Sequence, residues 1–245
     1  ASLNPLTPLS NVRVSMQRML KSADGRYFLS LYAGIAKPHG TLYELNENKN
    51  IEFRGTQKGH DLNLKAVQTE SLQSQDIAQI TGNLNVNSGV LQSNLIDQAG
   101  MNHLVQFEPA FKVDNKPLFT FKFYGVKADT QAKEQLLTRV DVIDKTTNTV
   151  AQSLTGFSAY PNSIGYMDIN FDGHYDVILS DLSQDRKVID KRYIYWMYNP
   201  KTTKYQRSPQ LEKIVGFPRL QGEKQQIDFD GQRYQVHQGL LQKIQ

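Results

Sequence analysis

The chain has 245 residues, of which 39% are hydrophobic and 21% charged, with 28 basic side chains against 24 acidic ones and no cysteine. That length allows one large β domain or two smaller ones, each with its own core. The missing cysteines exclude disulfides, thiolate metal sites and a cysteine nucleophile. The net charge of +4 is dispersed, with no lysine–arginine run to track a nucleic-acid backbone, and no stretch reaches the roughly 18–20 apolar residues of a membrane helix.

The opening Ala1-Ser2-Leu3-Asn4-Pro5-Leu6-Thr7-Pro8-Leu9-Ser10 has two prolines and no periodicity. It reads as a tether or extended lead-in, of the kind a lipoprotein carries after its lipidated cysteine. Strand signals follow. Val12 to Leu20 and Tyr27 to Ile35 flank Ala23-Asp24-Gly25, a hairpin connection. Thr41 to Leu45 and Ile51 to Arg54 flank a polar Asn-Glu-Asn-Lys-Asn turn, and Leu62 to Val67 alternates with period two. Ile80 to Val86 and Val90 to Ile96 form another hairpin around Asn87-Ser88-Gly89. Gly40-Thr41, Gly55-Thr56 and Gly82-Asn83 each sit beside a short strand. Regular short strands with glycine punctuation predict an N-terminal meander or small barrel over residues 1–112.

Beyond Pro109 to Pro117 the strands become longer and more aromatic: Leu118 to Val126, Leu136 to Asp144, Val150 to Phe157, Ile164 to Ile169, Val177 to Asp181 and Tyr193 to Tyr198. Ser208 as N-cap and Pro209 at the first helical position predict one short helix, Ser208 to Ile214. Gln225 to Gln238 reads as a hairpin around Asp230-Gly231. The fold class expected is mainly β, with two antiparallel β domains. The second, over residues 113–245, is β-sandwich-like with a calcium-type loop and that one helix.

The loop Asp168-Ile169-Asn170-Phe171-Asp172-Gly173-His174-Tyr175-Asp176 carries the clearest chemistry. Oxygen side chains stand at positions 1, 3, 5 and 9, with glycine at position 6 where the backbone must turn sharply. A hard cation such as Ca2+ takes six to eight oxygens from such a loop. Asp168, Asn170, Asp172 and Asp176 would ligate through side chains, and His174 through its backbone carbonyl. Position 12 is Leu179, so the bidentate glutamate of an EF-hand is missing and a ligand from elsewhere is expected, with Asp181 and Asp185 nearby. A metal-free Asx-turn is the other reading.

The block from Tyr166 to Leu211 joins that loop to the aromatic run Tyr193-Ile194-Tyr195-Trp196-Met197-Tyr198, then to Lys204-Tyr205 and the helix. This order resembles the C-terminal domain of periplasmic proteins related to the inhibitors of invertebrate-type lysozyme. Some of these are lipoproteins that protect bacteria from peptidoglycan-hydrolase effectors. The resemblance implies a periplasmic or outer-membrane lipoprotein that is no enzyme. It further implies a calcium-associated loop, a cell-wall hydrolase or toxin effector as protein partner, and membrane contact only through an N-terminal lipid anchor. It also implies a surface loop that enters a glycosidase cleft, and the nearest local match offers Ser158, Tyr160, Ser163, Gly165 and Tyr166. No Gly-x-Ser-x-Gly, His-Glu-x-x-His or phosphate-loop pattern supports an enzyme. A calcium-stabilised carbohydrate- or surface-binding module is the alternative, and it would need Trp196 and the nearby tyrosines exposed.

Overall fold

The structure is a computed structural model and describes residues 6–10, 12–33, 37–67, 78–127 and 135–244; the first half of the lead-in and Ile35 lie outside it. The chain is mainly β. After an edge strand β1 (Thr7–Pro8) come β2 (Val14–Ser22), β3 (Tyr27–Ala33), β4 (His39–Glu44) and β5 (Lys49–Lys58). These are followed by β6 (Asp61–Ala66), β7 (Gln79–Leu84), β8 (Leu91–Ile96) and β9 (Asn102–Pro109). Each pairs antiparallel with the next, and β9 returns to β2 through Leu20↔Pro109, Lys21↔Glu108 and Ser22↔Phe107. The meander is therefore a closed eight-stranded barrel. A barrel of that size is just wide enough for side chains to fill. Leu29, Leu31, Phe53, Leu64, Ile80, Leu91 and Phe107 do so, all 1% exposed or less.

The glycines that punctuate this half allow strands to approach closely. A Cβ on Gly55 would lie 1.8 Å from the Asn63 carbonyl oxygen, and one on Gly82 2.4 Å from that of Gln92.

The later strands are β10 (Phe119–Lys127), β11 (Gln135–Asp144), β12 (Thr149–Leu154), β13 (Ala159–Met167), β14 (Asp176–Asp181), β15 (Tyr193–Asn199) and β16 (Lys204–Arg207). β10–β11–β12 and β13–β14–β15–β16 are two antiparallel runs joined at Leu137↔Ala159. They wrap a shared core that includes Leu137, Val142, Leu154, Ile164, Leu179 and Tyr205. Their free edges meet through one side chain. Gln152 donates to the Tyr205 carbonyl at 2.9 Å and accepts from the Tyr205 amide at 2.7 Å.

β2 links the two halves. Its first residues run parallel to β13 (Ile164↔Val14, Tyr166↔Met16), while its last residues close the barrel against β9. The short helix α1 (Pro209–Glu212) is capped by Ser208, whose hydroxyl accepts from the Leu211 amide. A separate antiparallel sheet, β17 (Pro218–Gln221), β18 (Gln226–Phe229), β19 (Gln232–His237) and β20 (Leu240–Ile244), covers the flank of both halves. Its Leu220, Ile227, Phe229 and Val236 share a core with Met19 and Phe28 of the barrel and with Met167, Ile178 and Tyr195.

Three expectations shift. Thr7–Pro8 is not a bare tether, because it pairs with Tyr124 and Gly125 of β10. The predicted hairpin over residues 225–238 has a further strand on each side. Sequence reading passed over β9 altogether.

Candidate functional site

The Asp168–Asp176 loop connects β13 to β14, and the hairpin closes at Met167↔Asp176. Its fold is set by its own acids. Asp168 accepts from the amides of Asp172 (3.1 Å) and Gly173 (2.7 Å), and Asp172 accepts from His174 (2.9 Å). Asp176 accepts from Ile169 and from Tyr198 on β15, both at 2.9 Å, which ties the loop to the sheet. Two residues hold positive φ, Gly173 at 89° and Phe171 at 55°. The strain at Phe171 is offset by burial of its ring against Phe111, centroid to centroid 5.2 Å.

The electrostatics are unfavourable for the protein alone. Asp168 is 4% exposed and Asp176 fully buried. Burial and the neighbouring Asp172 carboxylate push Asp168 up to about 8. Burial, then Asp168 and Asp172, hold Asp176 well above the usual carboxylate range. Two cations stand nearby, Arg18 and Lys116, and the Lys116 ammonium sits 3.9 Å over the Tyr175 ring. Burial pulls Lys116 down to about 8, opposed chiefly by attraction to Asp168. Buried carboxylates that repel one another need a positive charge or protons.

Asn170 shows where such a charge would sit. Its amide end lies 3.2 Å from Asp168 Oδ1 and 3.1 Å from Asp172 Oδ1. With the NH2 turned inward, the amide donates to both carboxylates. With the carbonyl inward, three oxygens face one another at a spacing suited to a shared ion with bonds of about 2.3–2.6 Å. The residues therefore fit an oxygen-loving cation, through Asp168, Asn170 and Asp172. Among the described residues no three His, Cys, Asp or Glu side chains converge as a ready ligand set. A full shell would draw on the His174 carbonyl, on Asp176 through lone pairs its two amide partners leave, and on water. The His174 ring packs on Tyr198 at 5.0 Å and is not aimed as a ligand.

Neither extra acid contributes. Asp181 lies at the far end of β14, five residues on and so roughly 17 Å away, and is bound to Ser183 and Arg186. Asp185 stands beyond it, in the turn that follows.

The residues expected in an inhibitory loop are split. Between Ala159↔Asp181 and Ile164↔Leu179, five steps along β13 face two along β14, so three residues bulge out. Tyr160 and Ser163 belong to that bulge with exposed Asn162, whose side chain donates to the Tyr160 hydroxyl at 3.3 Å. Ser158 precedes it. Gly165 is buried against Met167 and Ile178. Tyr166 packs on Phe121 (5.1 Å) and Tyr175 (5.0 Å). Gly165 and Tyr166 are thus core positions behind the bulge, because strand pairing with β2 and β14 encloses them.

The aromatic run is also internal. Tyr193 and Tyr195 face the core under the small sheet, Tyr198 faces the other core, and half-buried Trp196 packs on Phe157. Sequence reading missed Arg18 and Lys116, which stand beside this loop, because no local pattern places either of them there. No family model and no curated protein matches this chain.

Proposed function

We propose that this protein is an extracytoplasmic binding protein that inhibits a peptidoglycan-degrading enzyme, with a calcium ion stabilising the Asp168–Asp176 loop. The observation that carries the reading is the approach of the Asn170 amide group to the Asp168 and Asp172 carboxylates, at 3.2 and 3.1 Å, in a strand-flanked loop whose acids are buried together. That composition and setting match what the resemblance implies. A site lacking the bidentate glutamate belongs with weak extracellular calcium modules, of Kd about 10⁻⁴–10⁻³ M, which fill outside the cytosol. The ion's chemistry here would be structural: it neutralises the acids and fixes β13 against β14.

The Tyr160–Ser163 bulge lies on that same β13–β14 pair, held by the Arg13 amide on the Pro161 carbonyl, and offers Asn162 and Tyr160 for contact with a partner. Three of the five histidines are engaged away from this loop. His39 stacks on Tyr32, His60 bonds the Leu84 carbonyl and His103 pairs with Asp97. These placements support binding rather than turnover.

One observation favours a second reading, a glycan-binding module. The outer barrel face carries a groove of about 890 Å3 rich in neutral amides and hydroxyls, among them Asn63, Thr81, Asn83, Gln92, Asn94 and Gln106. Among the described residues no aromatic side chain lines this groove, which argues against a stacking platform there.

Capture from a bacterial cell-envelope extract, followed by a turbidity assay on cell walls, tests both. The expected result is a co-purified muralytic enzyme whose activity the protein suppresses, with Tyr160→Ala weakening suppression at least tenfold. Glycan binding with no captured hydrolase would replace the first reading by the second.

A further inference from the structure

The open end of the barrel is a second site, unrelated to the proposed inhibition. β2 alternates between barrel interior and exterior, with Leu20 pointing in and Met19 out. Arg18 shares the parity of Leu20, so its side chain enters the barrel mouth. It is 5% exposed. One guanidinium nitrogen donates to the Val86 carbonyl at 3.0 Å, and Tyr175 stands beside it on the same cleft. Among the described residues no carboxylate stands within ion-pair distance of it. Its place depends on Gly89, at φ +76°, where any Cβ would come within 3.3 Å of Arg18 Nη1.

A buried arginine is ordinarily paired, because an uncompensated charge away from water is strongly unfavourable. Here the guanidinium borders a cleft of about 530 Å3. Lys116 flanks the same cleft and repels Arg18; the loop acids Asp168, Asp172 and Asp176 attract it, but among the described residues no carboxylate forms an ion pair with it. At the rim Lys112 is already paired with Glu108. Apolar Met16, Leu84, Phe111 and Val113 line part of the cleft, and polar Gln57, Asn87 and Asp114 share its lining. Barrel mouths are preferred ligand sites, and pockets of this size enclose small organic molecules held by a few polar groups.

We infer that the barrel mouth binds a small organic acid, its carboxylate held between Arg18 and Lys116 and its apolar body against Met16, Leu84 and Phe111. A carboxylate suits the site better than phosphate. The guanidinium nitrogens that Val86 leaves unused and one lysine offer two points of contact, and the acids of the neighbouring loop oppose a dianion.

Calorimetric titration of the whole chain at fixed calcium tests this, using hexanoate, its neutral counterpart hexanamide, and inorganic phosphate. Saturable hexanoate binding is expected, with hexanamide and phosphate at least tenfold weaker. Lys116→Gln should weaken hexanoate about tenfold, and Arg18→Gln should abolish binding. Should Arg18→Gln fail to melt cooperatively, Lys116→Gln and the hexanamide comparison decide alone. Equal affinity for hexanamide, unchanged binding in Lys116→Gln, tighter binding of phosphate, or no binding of hexanoate would each overturn the assignment. Asp172 itself does not line the cleft, so loss of calcium binding in Asp172→Ala with hexanoate binding retained separates this site from the loop.

Discussion

Replacing Asp172 by alanine should abolish the response to calcium while leaving the metal-free protein nearly as stable as before. Without metal the carboxylate accepts from the His174 amide at 2.9 Å and from the inward-turned Asn170 amide at 3.1 Å, and losing both costs about 2 kcal/mol. The same carboxylate is the principal charge that penalises ionised Asp168, so its removal also relieves repulsion. The two effects oppose each other in the absence of metal. With calcium they do not, because one of three converging oxygens is gone. For a site of Kd about 10⁻⁴ M, 10 mM calcium is a hundredfold excess and stabilises the native state by about 2.7 kcal/mol. In a chain of this size each kcal/mol moves the melting temperature by about 2–4 °C, so the wild type should gain about 5–11 °C. Thermal melts in EDTA and in 10 mM calcium, on both proteins, measure this. A wild type indifferent to calcium, or a variant that gains as much as the wild type, would refute the cation reading and leave an Asx-turned loop.

Four further outcomes are expected. Asn170→Asp should lower the melting temperature in EDTA, by adding a fourth acid to the loop, and enlarge the gain from calcium; a turn without metal predicts the loss alone. Gln152→Ala should cost about 1–3 kcal/mol in chemical denaturation and speed hydrogen exchange at the Tyr205 amide, since both backbone groups of Tyr205 lose their partner; an amide still protected would show that β12 and β16 close by other means. Gly55→Ala should destabilise by about 3 kcal/mol or more, because its Cβ would stand 1.8 Å from the Asn63 oxygen and force β5 from β6; a near-neutral effect in urea unfolding would count against so close an approach. Burial raises the Glu223 carboxyl above its ordinary value. The folded state therefore favours the proton, and stability rises as pH falls through the folded pKa towards the unfolded one. Glu223→Gln should accordingly be more stable than the wild type at pH 8 and indistinguishable by pH 4, as read from melting temperatures.

Much of the strand layout was legible because alternation and turn residues are local. Leu62-Asn63-Leu64-Lys65-Ala66 points its apolar residues into the barrel just as period two predicts. β9 was illegible for the same reason in reverse. Leu104 is apolar yet 88% exposed, beside inward Val105 and Phe107, and it breaks the pattern that should have announced the strand. Closure of the barrel through β2 and β9 joins residues nearly ninety apart, and no local pattern encodes such a pairing. The small sheet over residues 218–244 escaped in part because its outer strands span only 4 and 5 residues.

For the site, the spacing of oxygens identified the loop, but spacing does not encode burial. Asp176 reads as a ninth-position ligand, and the fold makes it a clamp as well, bound to the amides of Ile169 and Tyr198. Gly165 and Tyr166 follow Ser163 in sequence as though on one loop, yet the register shift leaves only the residues before Ile164 projecting. Arg18 is the sharpest case. Within Met16-Gln17-Arg18-Met19-Leu20 it looks like the solvent-facing member of a half-buried strand. The neighbours across it decide otherwise: Leu31 opposite on β3 lies inside the barrel, so the position opposite Leu31 must lie inside as well. A charge there is tolerated only at the barrel's open end, and pairing register, not composition, is what reveals it.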